Sequence, residues 1–388
     1  MRILYFSPHP FLNLSDPSGY GTHMREVIFA LRKKGHTVET CIIGGDKPDG
    51  SLNFQINSSK KKWVKHFLGR AVWQLIRDFR FYLFSSSIEK KLIKSIEEHK
   101  PELIYERGCY MLNSGASIAK KYSIQYYLEL NAPLIQEKIE LQYASLFDFL
   151  AEKHLKQQLA KCDKLIVVSS SLKNFYKNYI SSDKIVVTPN AINPDNLRIN
   201  PALKTEIQAK FKITDNDIII GFVGSIFPYH GVDKIISALP SLSSNLKLLI
   251  VGGGEIIPQL KNQASSLNIL ERVIFVGNVG HSEVFTYLNL MHITLLPHTK
   301  SYCSPVKIFE YGAAGKAIVS VDEVGVSDVM QNNLDGLLFE PGNKDEMINK
   351  IKLFVLDKPL RDSCATHFQD KVLKQYTWDK VIDLIFNN

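Results

Sequence analysis

The sequence predicts an α/β protein built from two doubly wound parallel-sheet domains, and three observations lead there. Short runs of β-branched and aromatic residues alternate with longer amphipathic stretches almost from end to end. Parallel strands covered on both faces read as unbroken apolar runs, and each must be joined to the next by a crossover, usually a helix. The pattern stops in an Asn- and Pro-rich stretch after Pro189 and starts again near Ile218. The 388 residues also exceed one ordinary core, at roughly 150 residues per domain.

In the first half, strands are expected at residues 3–6, 37–43, 103–105, 124–130, 165–168 and 185–187. In the second, they are expected at 218–223, 246–251, 273–276, 293–296 and 317–321. Helical stretches lie between them, so each half is a sheet with helices on both faces. Such folds bind ligands at the carboxyl ends of the strands. Two of them facing each other would place a site in the cleft between.

Composition narrows the partners. A formal charge of +8 suits an anionic ligand or surface, without choosing among phosphorylated ligands, membranes and nucleic acids. Cys41, Cys109, Cys162, Cys303 and Cys364 are odd in number, scattered and never spaced C-x-x-C. That excludes a disulfide framework and a zinc site and fits a reducing, cytoplasmic compartment. No apolar run approaches the ~20 residues of a membrane span, and residues 3–6 are too short for a signal-peptide core.

Several loops carry candidate chemistry. After the first strand, Gly19, Tyr20 and Gly21 precede an amphipathic helix from about His23 to Lys34. Glycines permit close backbone approach and a helix N-terminus offers free N–H groups, so this loop can hold a phosphate or be a tight turn. Gly224-Ser225, Gly252-Gly253-Gly254 and Asn278-Val279-Gly280 follow three later strands and suggest a backbone floor for a flat ligand. In the segment from Tyr302 to Gly315, Ser304 and Pro305 read as a helix start, with Ser304 as N-cap. Lys307 and Glu310 then fall three apart on one face. A lysine supplies charge to a diphosphate and a carboxylate accepts from two hydroxyls. The same spacing also describes a plain surface ion pair.

Order and spacing of these pieces together resemble the family-4 retaining glycosyltransferases of the GT-B fold over almost the whole chain. The matching pieces are the Gly19 and Gly21 loop with Gly35-His36-Thr37-Val38, Thr188-Pro189-Asn190, and Gly224-Ser225 through His230-Gly231. Val251-Gly252-Gly253-Gly254, the segment from Ser304 to Gly315, Asp335-Gly336 and Tyr376-Thr377-Trp378 complete the set. Four positions depart from the family pattern. Tyr302 stands where many members have glutamate, Ser225 where many have arginine, His230 where many have lysine, and Glu129 where many have histidine.

The resemblance implies two Rossmann-like domains across a cleft: residues 1–190 on the acceptor side and 191–372 holding the donor. A helix at 373–388 should pack back on the first. It implies transfer of a sugar with retention, without metal or cofactor, from a UDP- or GDP-type donor to a saccharide or lipid-linked acceptor. Cell-surface polysaccharide or lipopolysaccharide synthesis is the implied setting. Lys307, Glu310, Glu129 and His230 are the implied catalytic set. Gly19, Tyr20, Gly21, Gly224, Ser225, Asn278, Val279, Tyr302, Ser304, Pro305 and Val306 should surround the donor, with the backbone of Asn278 and Val279 at the base. His230 is expected to be charged beside the diphosphate. Glu106, Arg107 and Asn131, at strand ends of the first half, are acceptor candidates or simply loop residues. Asp215-Asn216-Asp217 has a metal-binding spacing but reads as a turn.

Residues 60–84 form a broad apolar helix face flanked by Lys60, Lys61, Lys62, Lys65, Arg70, Arg77 and Arg80. This is either a core helix with solvated lysines or a basic amphipathic helix on an anionic membrane. No nucleic-acid partner is expected. A nucleotide-sugar epimerase and an inactive sugar-nucleotide-binding relative share the same architecture and stand as alternatives.

Overall fold

The computed structural model describes residues 1–16, 19–45 and 70–387. Pro17 and Ser18 beside the first glycine loop, and residues 60–69 of the basic stretch, lie outside them. The chain forms two compact units, residues 1–188 with 382–388, and residues 189–381. The return to the first unit thus begins at Ile382, within the last helix, rather than at residue 373.

The first unit runs β1 (Arg2–Ser7), α1 (Gly19–Lys33), β2 (Thr37–Ile42), α2 (Arg70–His99), β3 (Leu103–Arg107), α3 (Ser114–Lys121) and β4 (Gln125–Leu130). It continues through α4 (Leu134–Leu141), α5 (Phe147–Lys161), β5 (Lys164–Val167), α6 (Ser170–Tyr176) and β6 (Ile185–Val187). All its strand pairs are parallel, in the order β2-β1-β3-β4-β5-β6. The order reverses direction between β1 and β3, which is where an open α/β sheet leaves a crevice at its carboxyl edge.

The second unit runs α7 (Pro201–Lys210), β7 (Ile218–Val223), α8 (Val232–Ala238), β8 (Leu246–Val251), α9 (Ile257–Ser266), β9 (Val273–Gly277) and α10 (Val284–Leu290). Then come β10 (Ile293–Leu296), α11 (Val306–Ala313), β11 (Ala317–Val321), α12 (Val324–Ser327), β12 (Leu337–Phe339), α13 (Lys344–Leu356) and α14 (Lys358–Gln375). The last helix, α15, spans Trp378–Asn387. The parallel order is β12-β11-β10-β7-β8-β9, with its switch point between β7 and β10.

Why the strands read as continuous apolar runs is visible in the second unit. Successive residues of a strand point to opposite faces. Ile220, Phe222, Leu248 and Ile250 pack into the core on one face, and Ile219, Val223, Leu249 and Val251 into the core on the other. With both faces covered, neither alternate position can be polar.

The amino-terminal half of α2 departs from the core-helix alternative. Residues such as Val72, Ile76, Phe79, Tyr82 and Leu83 are exposed, whereas Gln74 and Asp78 are buried. Asp78 is satisfied by Lys138 from α4 at 2.9 Å, by the Ser145 hydroxyl at 2.5 Å and by the Gln74 amide at 2.8 Å. A buried carboxylate with an ion-pair partner and hydrogen bonds outweighs the apolar face in setting the helix rotation. This half is not an apolar-inward core helix.

Candidate functional site

In the first unit the strand ends build a polar cluster around Glu129. Arg107 and Glu129 are register partners on β3 and β4. The Glu129 carboxylate accepts from the Tyr105 hydroxyl at 2.7 Å, the Asn131 amide at 3.0 Å and the Arg107 guanidinium, and it pairs with His23 Nε2 at 2.6 Å. It is 1% exposed. Burial alone would raise its carboxyl. The charges of His23 and Arg107 and the bonds from His23 and Tyr105 outweigh burial and hold it well below the usual carboxylate range. Glu129 is therefore an ionised anchor whose oxygens are engaged by the protein. The groups it aims are Arg107, His23 and Asn131.

The glycine loop belongs to the same edge. Tyr20 shares a 3.1 Å hydrogen bond with Ser7 at the end of β1, and the Arg107 guanidinium lies 4.9 Å from its ring centroid. A Cβ at Gly21 would stand 2.1 Å from the Asp16 carbonyl oxygen, so glycine is required there for packing, whereas one at Gly19 would meet nothing. Glu106 lies on the opposite face of β3 from Arg107. It is 0% exposed and accepts from Tyr126 and Gln158 at 2.9 and 2.8 Å. Burial pushes its carboxyl up to about 8 against those two bonds. As an acceptor candidate Glu106 is corrected: it is an interior, protonated group, because adjacent strand residues cannot share a face.

In the second unit the residues converge on the β7–β10 switch point. Lys307, on the first turn of α11, carries its ammonium 4.6 Å from the Phe222 ring centroid, beneath Gly224. Gly224 has φ +129°, and a Cβ there would lie 3.3 Å from Lys307 Cε. Burial lowers the Lys307 ammonium to about 8, with Glu310 and Cys303 pulling it back up. Burial raises the Glu310 carboxyl, opposed first by His281 and then by Lys307. Glu310 is partly buried on the same helix face. The Tyr311 hydroxyl accepts from Val223 N at 2.9 Å and so fixes α11 against the end of β7.

At His230, burial first and then Lys307 and His298 push the ring down to about 3. Its Nδ1 accepts from Phe227 N at 3.4 Å. Ser304 differs from its expectation. Pro305 occupies the N-cap position of α11 with no side-chain cap bond, and the Ser304 hydroxyl instead accepts from Asn190 N at 2.9 Å, while Asn190 Nδ2 donates to its carbonyl. The segment is thus held to the start of the second unit. Tyr302 is buried, with Lys300 stacked 5.4 Å from its ring centroid. Asn278 packs over Gly253, where a Cβ would fall 2.5 Å from its Oδ1. The strand-end glycines accordingly admit the protein's own loops: a Cβ at Gly252 would meet the Gly224 carbonyl oxygen at 2.1 Å.

Asp217 accepts from Thr214 N at 2.7 Å and pairs with Lys247 at 2.9 Å, a turn as read. Among the described residues, no group of three or more His, Cys, Asp or Glu side chains could hold a metal ion. Also among them, no helix is long and apolar enough to cross a membrane.

Sequence reasoning missed His23, Tyr105, His281 and His298. His23 lies in α1, Tyr105 in the middle of β3, and His281 and His298 in βα turns, and no local periodicity marks them. Only the strand order makes them neighbours of the marked residues.

Two six-stranded parallel sheets, each with polar groups gathered at its switch point, have the fold of the GT-B class. Residues 204–369 match the model of glycosyl transferases group 1, and residues 17–196 match that of glycosyltransferase family 4. The chain belongs to the family-4 GT-B glycosyltransferases. It is 22% identical over 375 residues to an uncharacterised glycosyltransferase of Methanocaldococcus jannaschii, covering 94% of this chain and 92% of that one. It is 25% identical over 229 residues to the lipopolysaccharide 1,2-N-acetylglucosaminetransferase of Salmonella typhimurium, covering 56% and 59%. In structure it resembles Anabaena HepE, solved in complex with UDP, with a TM-score of 0.76 and 15% identity over 100% and 99% of the two chains.

Proposed function

We propose that this glycosyltransferase moves a hexose-type sugar, with retention, from a UDP- or GDP-type donor to a saccharide or lipid-linked acceptor in cell-surface polysaccharide or lipopolysaccharide synthesis. The observation that carries it is the Lys307 ammonium held under Gly224 with Glu310 one turn along. In a retaining transfer through an oxocarbenium-like transition state, the departing diphosphate gains charge. A fixed cation at that point stabilises the transition state more than the ground state. Glu310 accepts from the ribose hydroxyls, and the backbone of Asn278 and Val279 borders the base. Lys307 supplies the charge that a metal supplies elsewhere, so the reading includes neither metal nor cofactor. Arg107 and Asn131, aimed by Glu129, are assigned to the acceptor. The Salmonella relative supports the lipopolysaccharide setting by its name.

A thermal-shift screen of nucleotide sugars tests the donor. A ligand at a hundredfold excess over its Kd stabilises by about 2.7 kcal/mol. One base and one sugar should stand out, and anomeric analysis of the product should show retention. Isomerisation of the sugar without an acceptor would instead establish an epimerase. Binding without transfer or slow donor hydrolysis would establish an inactive relative.

The exposed row of Val72, Ile76, Phe79, Tyr82 and Leu83 favours a second element of the reading, attachment to the cytoplasmic, anionic face of a membrane. Pelleting with vesicles containing phosphatidylglycerol at low salt and release at high salt are expected. No pelleting at any salt overturns this element.

A further inference from the structure

His298 is unmarked by any motif, yet it stands where the second sheet is built to hold a ligand. It follows β10 by two residues, on one side of the switch point, with Gly224 closing β7 on the other. A buried polar atom without a partner costs free energy, so its persistence calls for an explanation. His298 Nδ1 is such an atom among the described residues.

Its surroundings are those of the donor region. A Cβ at Gly231 would lie 3.4 Å from His298 Cβ, so the ring begins against the turn that carries His230. His298 acts electrostatically on His230, which Lys307 also influences. It also acts on Glu323, just past β11, whose carboxyl burial raises and His298 draws down. The imidazole thus lies among groups from three βα loops.

We propose that His298 is a donor-binding residue whose ring N–H bonds the diphosphate of the nucleotide sugar. This contact would supply a donor group where Ser225 and His230 offer no fixed cation. It rests on the nucleotide-sugar reading above. The bond satisfies the orphaned imidazole nitrogen and adds a second basic side chain, besides that of Lys307, to the donor site.

The experiment is calorimetric titration of the full chain with UDP, GDP and the corresponding nucleosides. His298→Ala should bind the diphosphate that the wild type prefers roughly tenfold to a hundredfold more weakly, the range for a hydrogen bond to a charged group. Its affinity for the nucleoside should be unchanged, which also reports an intact base site. His298→Asn, which keeps an N–H of similar reach, should recover most of the loss. Equal diphosphate affinity in wild type and His298→Ala overturns the proposal. So does an equal loss for diphosphate and nucleoside, which would mark His298 as structural. A wild type that binds neither UDP nor GDP overturns the nucleotide-sugar reading itself and this contact with it.

Discussion

Replacing Lys307 by methionine should make the protein more stable and much less active. The ammonium is lowered from 10.5 to about 8, chiefly by burial. At ~1.36 kcal/mol per unit, the charged form costs the folded state up to about 3 kcal/mol at neutral pH. Contact with the Phe222 ring, worth roughly 0.5–2 kcal/mol, offsets part of the gain on removal. Methionine keeps the apolar stem, so a net stabilisation of about 1–2 kcal/mol is expected. Between pH 8 and 10.5 the unfolded chain binds more protons at this lysine than the folded one. Wild-type stability should therefore gain a rising contribution across that window, which Lys307→Met lacks. Loss of a preorganised charge at the departing diphosphate should lower turnover by a factor of ~10²–10³. Urea denaturation at pH 7 and 10, together with single-turnover assays on the preferred donor, measures both quantities. A folded Lys307→Met with near-normal turnover would refute the catalytic assignment, and a less stable variant would refute the desolvation argument.

Two further perturbations test the first unit. Glu129→Gln leaves Arg107 and His23 without their shared carboxylate, and breaking a buried ion pair from one side costs about 3–5 kcal/mol; an unchanged urea midpoint would show that Glu129 anchors nothing. Glu106 is protonated in the folded chain up to about 8, against an ordinary 4.5. Its contribution is full below the ordinary value and is lost as pH rises through the folded one, by a few kcal/mol (~1.36 per unit). Glu106→Gln should flatten the fall in urea midpoint between pH 5 and 9, and superimposable curves would count against a neutral interior carboxyl.

The strands were legible because burial on both faces leaves a strand no polar alternate positions. Ile218–Val223 and Leu246–Val251 are bounded in the structure where the apolar runs begin and end. Leu337–Phe339 was not read as a strand, since three residues carry no period and its place is fixed only by pairing with β11. The rotation of α2 was illegible for a related reason. Its inward Asp78 depends on Lys138, sixty residues later, and the apolar repeat of the helix itself points the other way.

Site residues divide along the same line. That Lys307 and Glu310 share a face was legible because one helical turn relates them, and helix geometry is local. Glu129 was legible as a departure in a pattern but not in its role, which comes from three different elements. The order β2-β1-β3-β4 brings Tyr105 and Arg107 beside Glu129, and α1 delivers His23 onto the same carboxylate. This arrangement bears on one of the four departures. Where many relatives carry a histidine on β4, this chain has a carboxylate on β4 and an imidazole 2.6 Å away on α1. A basic ring thus stands at this strand edge in this chain, supplied by α1. Exchanging the two, His23→Glu with Glu129→His, should restore more activity than either single substitution allows. If the double variant is no better than the worse single one, the two positions do not share that function.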